Sequence, residues 1–407
     1  MKKYWKTSLI IAALVICIPV YYVQSAQSAD RLPQYKINPE EGGAEYIRPV
    51  VLEGSYLNGS IAEPVDITAH GTVYTGKLSF FESLKKSGAN SKNIKNLQSK
   101  YYNFMRGKNQ ESNFYEDSNK LVYADVTGGY SGDSNDITFK VSQLEKNNES
   151  VTSIKMPVPD RNKYNYIYVS EVQSIGSKID VVTVNSVDLR EGGSAEEIHL
   201  YTFDMDKRKL LDDKTILDTK GETKNMIVSL EKAREADEMG PDNYLVFKKV
   251  STEQIPRKDG GTEDGKTKID WFVFNLKENI QVKTRIPKEL ASDNERFPAY
   301  HDGSVLYFFL EKDQVLHVYQ YDAAKSPQPA EIAIPLGEKD ARVISIAVDK
   351  DKVFAAAISG ENLDGKGKYL IAADLKSGKQ VFKGSIIEGK DNKIAGGYLQ
   401  LDGIRIE

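Results

Sequence analysis

The residues best suited to move protons or hold a metal are four histidines, His70, His199, His301 and His317, scattered among 59 acidic side chains. No two of them share a metal-binding spacing, and His-Glu-x-x-His does not occur, so the zinc-hydrolase motif is absent. His199 and His317 fall at or near the second residue of the first strand in two similar hairpins, and repeat position accounts for both without a metal. His301, in Tyr300-His301-Asp302-Gly303-Ser304, stands just before a strand-like run. Loops entering such strands line one face of a radial β architecture, which makes His301 the one weak candidate for catalysis. The same residues read first as a turn.

Other chemistries fare worse. There is no Gly-x-Ser-x-Gly, and the single cysteine, Cys17, lies in an apolar segment, so no free thiol is expected outside it. Gly365–Lys368 lacks the spacing of a phosphate loop. The acidic turns Asp259–Lys266 and Glu361–Gly367 do not present oxygens at the alternating positions of a calcium loop and read as hairpin tips. No cofactor and no metal site is expected. A paired-carboxylate glycosidase site could be spread over distant residues, where sequence does not reveal it.

The elements that would position such residues follow from composition and patterning. The chain has 407 residues with a formal charge of −4, 23 tyrosines and 2 tryptophans. Tyrosine suits half-buried strands. A mildly acidic body argues against nucleic acid, whose phosphates need a concentrated basic surface. One cysteine excludes an intrachain disulfide and a cysteine-based zinc site.

Residues 1–29 read as an export segment. Lys2, Lys3 and Lys6 precede an uncharged run from Thr7 to Val23, flanked by Tyr4-Trp5 and Tyr21-Tyr22. Positive charge at the start and aromatic pairs at both ends fit a transmembrane anchor with the rest of the chain extracytoplasmic and essentially no cytoplasmic domain. The alternative is cleavage at the small residues near 25–29, which would give a secreted protein. Residues 30–46, with Pro33, Pro39 and Gly42-Gly43, read as a linker.

From residue 47 to 407, short strand-like runs recur. Inner-type runs begin at Lys120, Lys178, Asn243, Ser304 and Lys352, each followed by a hairpin-like stretch. Their spacings of 58, 65, 61 and 48 residues fit propeller blades of about 40–50 residues with insertions. The chain ends on a sixth such run, Gly396–Glu407, with no hairpin after it, while the region from Val50 to Phe81 holds spare strands. The economical arrangement joins both in one composite blade, which leaves no exposed sheet edge. Within this pattern Ile94, Leu97, Tyr101, Phe104 and Met105 recur at helical spacing, predicting a helix over about 91–107 capped by Ser91.

The stretch Ala372–Phe382, AADLKSGKQVF, resembles the blade repeat of quinoprotein-like (pyrroloquinoline-quinone-type) propellers through Ala372, Asp374, Ser377, Gly378 and Phe382. The resemblance implies that Asp374 accepts bonds from turn amides, that Gly378 has positive φ and that Phe382 fills the wedge between blades. It covers 11 residues, departs from the repeat at Ser377 and Phe382, and implies no redox cofactor.

The expectation is therefore an all-β protein: a β-propeller of about six four-stranded blades with a composite terminal blade, one inserted helix and an N-terminal transmembrane helix. Its expected role is non-enzymatic binding or scaffolding beside a membrane or cell-envelope protein. The alternative is a hydrolase acting on an extracellular sugar or phosphate compound.

Overall fold

The computed structural model describes residues 32–406 except 60, 79–90, 129–136, 189–193, 222–224, 236–238, 259, 284–296, 298, 323, 326–329, 361–366 and 390–396. The export segment at 1–29 lies outside the described residues. Among the described residues, no helix is long and apolar enough to cross a membrane.

The strands, in chain order, begin with β1 (Tyr35–Glu41), β2 (Val50–Asn58), β3 (Ile61–Thr68) and β4 (Gly71–Tyr74). After the helices α1 (Lys92–Lys100) and α2 (Tyr102–Met105) come β5 (Phe114–Glu116), β6 (Lys120–Thr127), β7 (Thr138–Glu145) and β8 (Val151–Pro157). Next are β9 (Tyr164–Ile175), β10 (Lys178–Asp188), β11 (Ser194–Asp204), β12 (Lys209–Asp218), β13 (Met226–Lys232) and β14 (Arg234–Glu235). The chain continues through β15 (Tyr244–Pro256), β16 (Thr262–Asn275), β17 (Ile280–Val282), β18 (Tyr300–Asp302), β19 (Val305–Lys312), β20 (Val315–Asp322) and β21 (Ala330–Pro335). It closes with β22 (Ala341–Asp349), β23 (Lys352–Ser359), β24 (Gly367–Asp374), β25 (Gln380–Glu388) and β26 (Tyr398–Ile406).

These strands form six sheets, four of four strands and two of five, a succession consistent with a propeller. Pairing is antiparallel apart from β14 on β18, which is parallel. Each inner-type run expected from sequence (β6, β10, β15, β19, β23) is preceded within its sheet by a further strand that was not recognised: β5, β9, β13, β18 and β22. β5 and β18 have three residues each, too few to show a periodicity. β9 and β22 carry apolar patterns of their own, with Ile167, Val169 and Val172 buried in one and Val343, Ile346 and Val348 in the other.

Head and tail of the described chain are joined. β26 pairs β2 from Val50↔Ile406 to Leu57↔Tyr398, so one sheet runs β26-β2-β3-β4. Arg405 reinforces it across three strands, donating to Glu53 Oε1 at 2.7 Å and Asp66 Oδ2 at 3.1 Å. The expected linker 30–46 carries an edge strand instead. β1 extends the β22–β25 sheet by pairing with β25. Its prolines and acids resemble a linker, but Tyr35 and Ile37 are buried, and Tyr74 Oη donates to the Pro33 carbonyl at 2.6 Å. Burial of alternate side chains overrides local composition here.

The described residues fall into two compact units, those within 1–89, 311–317 and 332–407 and those within 90–310 and 318–331. In the first, Leu52, Tyr56 and Ile67 of the composite sheet share a core with Phe354, Leu370 and Phe382. In the second, consecutive sheets stack face on face. Phe139 meets Tyr201 edge-on at 4.7 Å between the β5–β8 and β9–β12 sheets. On the opposite face, Val182, Ile198 and Leu200 pack on Leu245, Phe247 and Phe274. Trp271 then meets Phe308 edge-on at 4.9 Å. β10 is buried on both faces over most of its length, which explains its run of valines.

The inserted helix forms as expected, with one difference. Ser91 Oγ accepts from the Ile94 N–H at 3.2 Å, and Ile94, Leu97, Tyr101, Phe104 and Met105 are all buried against Phe114 and Leu121. The helix breaks at Tyr101, whose φ of −125° and ψ of 50° separate α1 from α2.

Candidate functional site

Two histidine–carboxylate clusters lie in the second unit. The first contains His301. It sits on β18 with only 1% of its surface exposed, paired through backbone with Glu235 of β14. Its Nδ1 lies 3.4 Å from Asp242 Oδ2. The other oxygen of Asp242 accepts from the Tyr244 N–H at 2.8 Å, which fixes the carboxylate at the start of β15.

The Asp242 N–H in turn donates to Gln173 Oε1 at 2.9 Å, and the Gln173 amide donates to Glu171 Oε1 at 3.0 Å and to the Gly240 carbonyl at 3.2 Å. Glu171 completes the chain with an ion pair to Lys232 Nζ at 3.0 Å. Lys232 closes β13, while Glu171 and Gln173 belong to β9. A bulge sits at Ser170, where Val182 and Thr183 of β10 face Glu171 and Val169. Bulges re-aim side chains, and this one sets Glu171 toward Lys232. The network thus ties the leading strands or entry segments of three successive sheets. Buried polar groups in such a chain are costly unless each finds a partner; Asp242, Gln173, Glu171 and Lys232 are joined in sequence, and His301 approaches Asp242.

The second cluster centres on His199 of β11. Nε2 lies 2.7 Å from Glu197 Oε2 and Nδ1 lies 3.0 Å from Asp213 Oδ1 of β12. Thr215 Oγ1 is 3.2 Å and Tyr164 Oη 3.5 Å from Nε2. Glu197 also pairs with Lys220. Burial pulls the imidazole pKa down, but hydrogen bonds and charge from Asp213 and Glu197 outweigh it and hold the group above its ordinary 6.5. Burial pushes Glu197 up, yet Lys220 and His199 hold it below its ordinary 4.5.

Repeat position had accounted for His199 from sequence. The structure places two carboxylates, Glu197 and Asp213, against its ring. A signal was present: in Glu197-Ile198-His199-Leu200-Tyr201 the polar residues alternate with apolar ones that enter the next core. The same alternation marks Glu171 and Gln173. No local pattern, however, announces Asp213, Lys232 or Asp242 as their partners.

The remaining candidates are dispersed. His70 is exposed in the β3–β4 turn, and His317 is half-buried on β20. Gly260 to Lys266 belong to the β15–β16 hairpin, whereas Asp259 and Glu361 to Lys366 lie outside the described residues. Among the described residues, no group of three His, Cys, Asp or Glu has metal-holding geometry. The Asp374 turn has the expected form: Oδ1 accepts from the Ser377 N–H at 2.7 Å and hydroxyl at 2.6 Å, Gly378 has φ of +68°, and Phe382 is buried.

No family model matches the chain, and no curated protein matches it in sequence. Among solved structures, the polysaccharide lyase Uly1 is 10% identical, covering 68% of this chain and 89% of that one, with a TM-score of 0.21. MPT-4, a mannose phosphorylase from Leishmania mexicana, is 7% identical, covering 60% and 94%, with a TM-score of 0.13. Scores this low carry no argument about what this chain does.

Proposed function

We propose that the six sheets close into one propeller that serves as a non-enzymatic binding or scaffolding module, held at the outer face of a membrane by residues 1–29 or released after cleavage near 25–29. Its partner on this reading is a membrane or cell-envelope protein, engaged through the helical insertion. The observation that carries the reading is Tyr102. It is 74% exposed at the start of α2, while its neighbours Tyr101, Phe104 and Met105 are buried. Lys108 Nζ braces the same turn from 3.4 Å above the Phe104 ring centroid. A large aromatic held in solvent on an ordered backbone suits an interface hot spot, because tyrosine has only two χ angles to fix on binding.

The test is recovery of partners from detergent-solubilised membranes by full-length wild type, Tyr102→Asp and Ile280→Asp, the last altering an exposed apolar residue on β17. The expected result is recovery by wild type and Ile280→Asp and loss with Tyr102→Asp. Equal recovery by all three would remove the helix from the account.

A second reading, hydrolysis of a sugar or phosphate compound, is favoured by the approach of His301 to Asp242 and the link from Asp242 through Gln173 to Glu171. It would need their buried network to open to substrate. The binding reading needs no such opening and is preferred.

A further inference from the structure

The His199 cluster has a property that the fold alone does not require. A neutral imidazole carries one N–H, so in either tautomer its other nitrogen presents a lone pair. Here each ring nitrogen faces a carboxylate, Glu197 at 2.7 Å and Asp213 at 3.0 Å. Only the doubly protonated ring satisfies both contacts. Loss of a proton sets a lone pair against a carboxylate on one side or the other.

The two carboxylates belong to different strands. Glu197 shares β11 with His199, whereas Asp213 lies on β12, the last strand of its sheet. β12 has no buried residue and is bulged beside the cluster, since Ile198 and His199 face Leu217 and Thr215 with Ile216 left over. The other groups facing the ring are accounted for. Tyr164 approaches from β9 and Thr215 from β12, and Tyr201 stacks on the ring at 5.5 Å and binds Asn185 of β10. Lys220, just beyond β12, pairs with Glu197, and Lys163 lies close enough to feel Glu197 and Asp213.

We propose that Glu197, His199 and Asp213 form a proton-operated clasp that fastens the edge strand β12 to β11 and releases it when His199 loses its proton. The direction in pH follows from linkage. The imidazole is held above its ordinary 6.5, so its contribution is complete below about 6.5 and disappears as pH rises through the raised folded value. Glu197 is held below its ordinary 4.5, so its contribution is complete above about 4.5 and disappears as pH falls through the lowered value. The clasp is therefore fully closed between about pH 4.5 and 6.5 and opens on the alkaline side.

The test uses the full chain as wild type, His199→Gln and Asp213→Asn. Imidazole NMR shifts give the His199 titration, and hydrogen exchange of peptides covering 209–218, corrected for the intrinsic pH dependence of exchange, gives β12 opening. Expected are a wild-type titration above 6.5, a lower one in Asp213→Asn, and β12 protection that falls about tenfold for each unit by which the folded value is raised. In His199→Gln the β12 protection should not vary with pH above about 6, where Glu197 stays ionised. A wild-type titration at or below 6.5, or the same pH dependence of β12 in wild type and His199→Gln, would overturn the proposal. If His199→Gln does not fold, the comparison of wild type with Asp213→Asn decides it: an unshifted titration with unchanged β12 exchange counts against the clasp.

Discussion

At the scale of residues, the turn closing β24 shows how a few atoms dictate a local shape. Asp374 satisfies the amides of Lys376 and Ser377, and Gly378 follows in the left-handed region at φ +68°. A Cβ at Gly378 would lie 2.1 Å from Ile332 Cγ2, whereas one at Gly303, φ +56°, would meet nothing within 4 Å. Left-handed strain costs a non-glycine residue about 1–3 kcal/mol. Both Gly303→Ala and Gly378→Ala should carry that cost, and Gly378→Ala should exceed it by the displacement of Ile332. Urea unfolding of the two variants measures the difference; equal loss would show that Ile332 moves aside freely. Asp374 and Gly378 were legible because their roles are local, whereas the core around Phe382 draws on Leu52, Tyr56 and Ile67 from another sheet. Glu171, Asp242 and Lys232 were not, because their pairing depends on stacking of sheets that are far apart in sequence.

At the scale of elements, the helical insertion was readable because its apolar spacing and its cap agree with one another. Ser91 Oγ accepts the Ile94 N–H and also donates to Glu111. Ser91→Ala removes both contacts and should destabilise the protein by about 1 kcal/mol. Ser99, within α1, spends its hydroxyl on the Asn96 carbonyl, a bond that competes with helical pairing. Ser99→Ala should be neutral or slightly stabilising in the same urea titration, and a loss equal to that of Ser91→Ala would contradict the capping role. β1 illustrates the opposite case. Its Asn-Pro-Glu-Glu sequence has poor strand propensity, and only the burial of Tyr35 and Ile37 against the core makes it a strand. The short leading strands β5 and β18 are held in the same way by neighbours rather than by their own pattern.

At the scale of the molecule, the sequence spacing predicted about six sheets and a shared one for head and tail, and both are present. β26 finds its neighbour in β2, so the final strand-like run and the strands near Val50 belong to one sheet. Internal closure of this kind also explains the placement of Arg405, whose guanidinium joins β26, β2 and β3 through Glu53 and Asp66.

The central claim is that β26 completes the sheet begun by β2, in the register that sets Ser55 opposite Gln400. Directly opposed residues of antiparallel strands lie close enough to bridge, with Cα atoms about 4.5–5.5 Å apart. In a Cys17→Ser background, the pair Ser55→Cys and Gln400→Cys should therefore oxidise to an intrachain disulfide in the native protein, read as a faster-migrating band that returns to normal on reduction. The control pair Ser55→Cys and Lys376→Cys should remain reduced. Failure of the first pair to close under conditions that leave the protein folded, or equal closure of both, would contradict the account.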